Sequence, residues 1–147
     1  MPDYRVALHW EHNSPDFDYE TCDRSHRLHT GSGIEIPASA APEFMGANDR
    51  LNPEEALVGA VSSCHLLTFL AIAARRKWSV ASYTDAAVGS LEKNAEGRLA
   101  ITRITLHPIV VFSGTPPDAA ELAKLHEAAH RNCFIANSIR SEVVVAS

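Results

Sequence analysis

The chain has 147 residues, of which 46% are hydrophobic and 21% are charged, a composition typical of one soluble domain. Its formal net charge of −5 excludes the basic footprint of a nucleic-acid-binding protein. Three cysteines are too few, and odd in number, for the disulfide framework of a small secreted protein. Residues 1–5 lack the basic and apolar regions of a secretory signal, so we expect a reducing, cytoplasmic location.

The first third of the chain is predicted to form strands and loops. Apolar side chains alternate with others over residues 4–10, which is the pattern of a half-buried strand. A shorter strand is predicted at residues 17–20. The Gly-Ser-Gly sequence within residues 28–36 indicates a hairpin, and residues 37–50 are predicted to be a loop.

A long helix is predicted from Pro53 to about Lys77. Asn52 suits the N-cap, and Glu55 stands three residues later, as in a capping box. Residues 56–74 are apolar enough to suggest a membrane span, but Ser-Ser-Cys-His at 62–65 would be costly in a bilayer. We therefore expect no membrane contact and interpret the segment as a helix buried nearly all round at the centre of the core.

The remainder predicts strands, a helix and a final strand. Residues 81–93 and 98–112 are predicted strands joined by a hairpin loop at 94–97. A second helix is predicted to begin at 116–118 and to end near Cys133, and residues 142–146 are predicted to form the last strand. This order indicates an α+β fold, with a single domain over residues 1–147.

Two cysteines are candidates for chemistry. Cys64 stands among polar residues in an otherwise apolar helix, and buried polar groups are costly unless partnered, so a cavity or an interface is expected there. Cys133 follows His130 and Arg131, and a nearby cation favours the nucleophilic thiolate. Cys22 lies in a polar segment and is interpreted as a bystander. Free cysteine is also a common core residue, which is the competing interpretation for each of them.

The second predicted helix carries possible metal ligands. His126, His130 and Cys133 share one helical face, and Cys22 and His26 could add ligands. The spacing matches no named zinc motif, so we expect neither a metal nor another cofactor.

Two segments resemble the OsmC/Ohr family, the osmotically inducible and organic hydroperoxide resistance proteins. Asn-Pro-Glu-Glu-Ala-Leu at 52–57, followed by Ser-Cys-His at 63–65, is similar to the family's active-site helix. Cys-Phe-Ile-Ala-Asn-Ser at 133–138, running into Val-Val-Val at 143–145, resembles its second-cysteine motif and final strand. Arg-Ser-His at 24–26 and Ser-Ala-Ala-Pro at 39–42 favour the OsmC-type subgroup. The resemblance covers nearly the whole chain and implies antiparallel sheets around a long central helix in an intertwined homodimer.

The resemblance implies a thiol-dependent peroxidase for organic and, more weakly, hydrogen peroxide. Cys64 would become a sulfenic acid, and Cys133 would resolve it to a disulfide that an external dithiol reduces. Glu54 matches the family's acidic residue. Arg24 is expected to be the arginine that stabilises the thiolate, with Arg27 as the alternative because the usual glycine-flanked motif is absent.

The predicted helix separates two of these residues. Glu54 and Cys64 are ten positions apart, which corresponds to about 15 Å of rise and roughly 80° of rotation. They cannot touch within one straight helix, so a site that uses Glu54 and Arg24 beside Cys64 combines two chains. We therefore predict an obligate homodimer with both chains contributing to each site.

The residues around Cys64 lead to further expectations. Leu66, Leu67 and Phe69 are expected to surround Cys64 and to favour organic hydroperoxides. His65 is either a core histidine bonded to a backbone carbonyl or a residue that tunes the polarity of the pocket. The alternative function is a non-catalytic, dimeric module that binds small ligands in the same fold.

Overall fold

The computed structural model describes all residues from 1 to 147. The chain divides into two compact units, Met1–Ala56 and Leu57–Ser147, and each is described by itself. A 23-residue helix, α1 (Pro53–Arg75), begins in the first unit and continues through the second. The combination of helices and mainly antiparallel sheets confirms the predicted α+β class.

The first unit contains a three-stranded antiparallel sheet. Its strands, in spatial order, are β1 (Val6–His9), β2 (His26–Thr30) and β3 (Glu35–Ala38). The predicted hairpin joins β2 to β3, and Gly33 in its turn has a φ of 92°, which is accessible to glycine at little cost. All four residues of β1 are exposed, so the expected half-buried strand is present without its buried face.

The strand predicted at residues 17–20 is wrong. The segment forms a turn, in which the N–H groups of Thr21 and Cys22 donate to the carbonyl of Asp18 at 3.2 and 2.9 Å. Hydrogen bonds close in sequence therefore satisfy this backbone, and they compete with strand pairing.

Helix α1 begins where the sequence predicts. The N–H of Glu55 donates to Oδ1 of Asn52 at 2.8 Å, and the amide of Asn52 donates back to the Glu55 carboxylate. The prediction of burial nearly all round is wrong, since the buried residues form a single stripe of Val61, His65, Phe69 and Ala73. Successive members of this stripe are four positions apart, so they share one face of the helix. By length and composition α1 is the one helix that could cross a membrane, a test that core helices of soluble proteins also pass.

The second unit contains two small sheets. One pairs β4 (Val80–Thr84) with β7 (Ile109–Phe112), and the other has the order β5 (Val88–Lys93), β6 (Leu99–Leu106) and β8 (Glu142–Val145). The pairing of β6 with β8 is parallel, and the other pairings are antiparallel. The hairpin predicted at residues 94–97 joins β5 to β6.

A second helix, α2 (Ala119–Asn132), completes this unit and ends at Cys133, as predicted. The side chain of Asp118 caps it by accepting from the N–H of Glu121. Phe69 and Ala73 of α1 pack with Leu125 and Ala129 of α2 in one core cluster. Because these contacts join the two helices, they fix the side chains that α1 and α2 present to each other.

Candidate active site

The structure brings Cys64 and Cys133 together from opposite ends of the second unit's sequence. Cys64 lies in α1 beside the buried stripe and is partly exposed. Cys133 is the C-cap residue of α2 and is only 1% exposed. Each thiol influences the pKa of the other, which shows that the two side chains are neighbours. Both cysteines are free thiols in the structure.

The surroundings of Cys64 favour its thiolate. Burial alone would raise the pKa of this thiol, but the N–H of Ile135, the Cys133 thiol, the N–H of Phe134 and the Thr68 hydroxyl together hold the pKa below its ordinary value. Hydrogen bonds donated to a charged group stabilise the charged form. A lowered pKa on a partly exposed cysteine is the property of a reactive thiol.

The surroundings of Cys133 have the opposite effect. Burial is the largest cause of its raised pKa, and the adjacent Cys64 adds to it. The N–H of Ala136 donates to Sγ of Cys133 at 3.4 Å and opposes the shift without reversing it. Cys133 therefore stays a thiol where Cys64 is a thiolate, so a proton donor lies next to the nucleophile.

Cys64 opens onto a cavity of about 500 Å³, which we call the Cys64 groove. Its lining is mainly apolar and comes from α1 and from the end of α2: Cys64, Leu67, Thr68, Ala71, Ile72, Arg75, Asn132 and Phe134. The groove gives the thiol access to a ligand that has an apolar body.

The expected pocket residues are only partly correct. Of the three apolar residues named from the sequence, Leu67 lines the groove and Leu66 and Phe69 do not. Phe69 is completely buried in the core cluster with Leu125. The helical period explains the error, because Phe69 is five positions from Cys64 and projects to another face.

His65 points away from the groove and into the core. It is 1% exposed, and its Nε2 lies 3.0 Å from Nδ1 of His126, with the two rings stacked. Burial, followed by the influence of His126 and His130, lowers the pKa of His65 to about 4, although the carboxylate of Asp85 opposes this. The interpretation of His65 as a core histidine is therefore correct in its position, but its partner is the His126 side chain and not a backbone carbonyl. The alternative, that it tunes the polarity of the pocket, is wrong, since His65 does not line the groove.

The candidate metal ligands of α2 lie in two different places. His126 faces His65, whereas Cys133 adjoins Cys64. No group of three or more His, Cys, Asp or Glu side chains in the structure is placed to hold a metal ion.

The other predicted site residues lie in the first unit. Arg24 donates to the carbonyls of Cys22 and Tyr19 and lies over the Tyr19 ring at 5.0 Å from its centroid. Arg27 is exposed and pairs with Glu35 at 3.3 Å. Glu54 is in the first turn of α1, and its Oε2 is buried without a hydrogen-bond partner.

Two kinds of group that act on Cys64 are not among the residues predicted from the sequence. Thr68 follows Cys64 by four positions on α1, and that spacing alone could have indicated it. The N–H groups of Phe134 and Ile135 leave no sequence signal, because every residue except proline has one.

A family model described as OsmC-like protein matches residues 46–147. The chain belongs to the OsmC/Ohr family. A solved OsmC-like protein of unknown function from Vibrio cholerae is 43% identical, with a TM-score of 0.95 over 99% of each chain. No curated protein sequence matches the chain significantly.

More distant family structures share the fold. An organic hydroperoxide resistance protein OsmC from Legionella pneumophila is 20% identical, with a TM-score of 0.74 over 99% of this chain and 94% of that one. The organic hydroperoxide resistance protein OhrB of Bacillus subtilis is 18% identical, with a TM-score of 0.68 over 97% and 94%. These likenesses confirm the predicted OsmC-like fold.

Proposed function

We propose that this OsmC/Ohr protein is a thiol-dependent peroxidase that reduces organic hydroperoxides and, more weakly, hydrogen peroxide. The observation that carries the proposal is the pairing of Cys64 with Cys133. One thiol is accessible and has a lowered pKa, and its neighbour is buried and has a raised pKa. Access and a lowered pKa are the properties required of an attacking cysteine, and a second thiol next to it is what a resolving cysteine must supply.

The reaction begins at Cys64. Its thiolate attacks the outer peroxide oxygen, so that an S–O bond forms, the O–O bond breaks and the alkoxide leaves. The departing alkoxide takes up a proton to become the alcohol, and Cys64 is left as a sulfenic acid. The groups that favour the Cys64 thiolate hold the sulfur in its nucleophilic form at the mouth of the groove.

Cys133 then resolves the sulfenic acid. Its sulfur displaces the hydroxyl group, which leaves as water with the Cys133 proton, and a Cys64–Cys133 disulfide forms. An external dithiol reduces the disulfide and is itself oxidised to a disulfide. Because Cys133 is already adjacent to Cys64, the second step requires no large movement of α1 or α2.

The groove supports an organic substrate. Hydrogen peroxide is small and well hydrated and gains little from an apolar lining, whereas an alkyl hydroperoxide buries its carbon chain there. The relatives from Legionella pneumophila and Bacillus subtilis are named organic hydroperoxide resistance proteins, which supports the same substrate class. The three free cysteines are consistent with the reducing, cytoplasmic location that we propose.

A homodimer is part of the proposal. Large apolar side chains are exposed in both units, among them Val6, Leu8, Ile34 and Leu70 at 63%, 64%, 58% and 37%. Exposed apolar surface of this kind is typical of an interface. The Oε2 atom of Glu54 is buried and has no hydrogen-bond partner within one chain, and we propose that the second chain supplies that partner. In the dimer, Arg24 and Glu54 of one chain would then lie beside Cys64 of the other.

The dimer is tested by sedimentation together with activity at nanomolar protein. The wild type is expected to sediment as a dimer, and Leu70→Glu, which adds a charge to an exposed position, is expected to dissociate it and to lower turnover. A folded monomer with full activity would contradict a shared site. Arg24→Gln and Arg27→Gln form a matched pair, in which only the Arg24 variant should slow Cys64 oxidation.

Peroxidase activity is tested with cumene hydroperoxide and a dithiol reductant. Cys64→Ser should abolish turnover. Cys133→Ser should permit one round of peroxide reduction and should accumulate a sulfenic acid detectable with a dimedone probe. Cys22→Ser is the control and should retain turnover. If Cys64→Ser leaves the rate unchanged, the enzyme hypothesis is wrong and the alternative binding module is favoured.

A further inference from the structure

Arg75 occupies an unusual position in the Cys64 groove. It follows Cys64 by eleven residues on α1, which corresponds to about 16 Å of rise and only about 20° of rotation. The two residues therefore lie on one face of the helix, about three turns apart. Leu67, Thr68 and Ala71 lie between them along the same face and line the same groove.

Arg75 is the only charged residue that lines the groove. Its side chain forms no ion pair and no hydrogen bond with the rest of the chain, and the residue is exposed. Basic residues near a helix C-terminus interact favourably with the helix dipole, and Arg76 and Lys77 also stand there. The dipole therefore does not explain why Arg75 alone is directed to the groove, whose walls are otherwise mainly apolar.

We propose that Arg75 is a specificity residue that binds the carboxylate of an aliphatic hydroperoxide whose chain lies along the Cys64 groove. This inference rests on the peroxidase function proposed above. The hydroperoxide group would lie at Cys64 and the carboxylate at Arg75, about 16 Å along the helix. Guanidinium and carboxylate groups form charge-assisted hydrogen bonds in a bidentate geometry, and an apolar wall strengthens them relative to water.

The chemistry at Cys64 is unchanged by this contact. Arg75 touches neither the peroxide oxygens nor the sulfur, since it lies three helical turns away. It selects among hydroperoxides by charge and length, so it affects kcat/KM for acidic substrates more than kcat. The pairing is electrostatic, and the selectivity should therefore decrease as ionic strength rises.

The test compares linoleic acid hydroperoxide with its methyl ester, both below their aggregation concentrations. We expect wild-type kcat/KM to be about 2- to 5-fold higher for the acid, a size typical of an exposed ion pair. Arg75→Gln should abolish this preference for the acid, and Arg75→Lys should retain part of it. Arg76→Gln is the matched control and should keep the ratio, because Arg76 does not line the groove.

A second measurement does not depend on peroxidase turnover. Dodecanoate should protect Cys64 from alkylation in the wild type more strongly than dodecanol does, and Arg75→Gln should abolish that difference. Equal kcat/KM for the acid and the ester in the wild type would overturn the role of Arg75 while leaving the peroxidase intact. An equal loss for both substrates in Arg75→Gln would also overturn it. If neither hydroperoxide oxidises Cys64, the proposed peroxidase function itself fails.

Discussion

The buried histidine pair predicts that the protein loses stability in mild acid. His65 is 1% exposed and contacts His126 at 3.0 Å, and its pKa is lowered from 6.5 to about 4, mainly by burial. The pKa of His126 is also lowered by burial. The hydrogen bond between the two stacked imidazoles needs one neutral nitrogen as acceptor, so the rings cannot both be protonated in the folded state.

The sign of the change in stability follows from the pH at which the folded and the unfolded chain each bind a proton at His65. Well above about pH 6.5 the imidazole of His65 is neutral whether the chain is folded or unfolded, so it contributes no pH dependence there. Below that pH the unfolded chain binds a proton that the folded chain excludes, and stability decreases until about pH 4. One pKa unit corresponds to about 1.4 kcal/mol, so His65 alone lowers the free energy of unfolding by about 2.5 kcal/mol at about pH 4.5.

Urea unfolding of the reduced protein at about pH 7.5 and about pH 4.5 measures this loss. Carboxylates also titrate in this range, so the contribution of His65 is the part of the loss that His65→Leu removes. His29→Asn, a change at an exposed position of β2, is the control and should retain the full acid sensitivity. Equal pH dependence in His65→Leu and the wild type would refute the reasoning. Titration of the His65 imidazole near pH 6.5 in the folded protein would refute it as well.

Three further predictions concern the fold and the thiols. Gly46→Ala should lower the free energy of unfolding by more than about 2 kcal/mol, because its Cβ would lie 1.6 Å from the carbonyl oxygen of Ala40. Gly59→Ala, where a Cβ meets nothing within 4 Å inside α1, should instead raise it by about 0.5–1 kcal/mol. Asn52→Ala should lower the free energy of unfolding by about 1 kcal/mol, because it removes the cap of α1. Thermal unfolding of the three variants measures these effects. The pH profile of Cys64 alkylation should have its midpoint below that of an ordinary thiol. In Cys133→Ala the midpoint should rise, since a donor to the Cys64 thiolate is lost. An unchanged midpoint would show that Cys133 does not act on Cys64.

Local signals predicted much of the architecture. The capping box at Asn52 and Glu55 fixed the start of α1, and the turn residues of the two hairpins predicted their positions. The predicted strand at residues 17–20 failed because hydrogen bonds to Asp18 stabilise a turn that apolar content alone does not reveal. The sequence of α1 likewise did not show that only one stripe is buried. Exposed leucines such as Leu67 and Leu70 are as apolar as core residues, so they cannot be told apart from the core by composition.

The candidate site was predictable only in part. The resemblance indicated Cys64 and Cys133, which are 69 positions apart, and the structure brings them together. The amides that favour the thiolate depend on how the chain turns after Cys133, which is a property of tertiary structure. The pairing of His65 with His126 also joins residues 61 positions apart on different helices, and no local pattern specifies such a contact. The roles of Arg24 and Glu54 and the dimer stay predictions.

The most direct test of the central claim is to map disulfides after one equivalent of cumene hydroperoxide is added to the reduced protein. Peptide mass spectrometry under non-reducing conditions is expected to show one disulfide, between Cys64 and Cys133, with Cys22 still free and the peroxide converted to its alcohol. Reduction with a dithiol should restore all three thiols. Unreacted thiols alongside intact peroxide, or a disulfide that includes Cys22 in place of Cys133, would contradict the account.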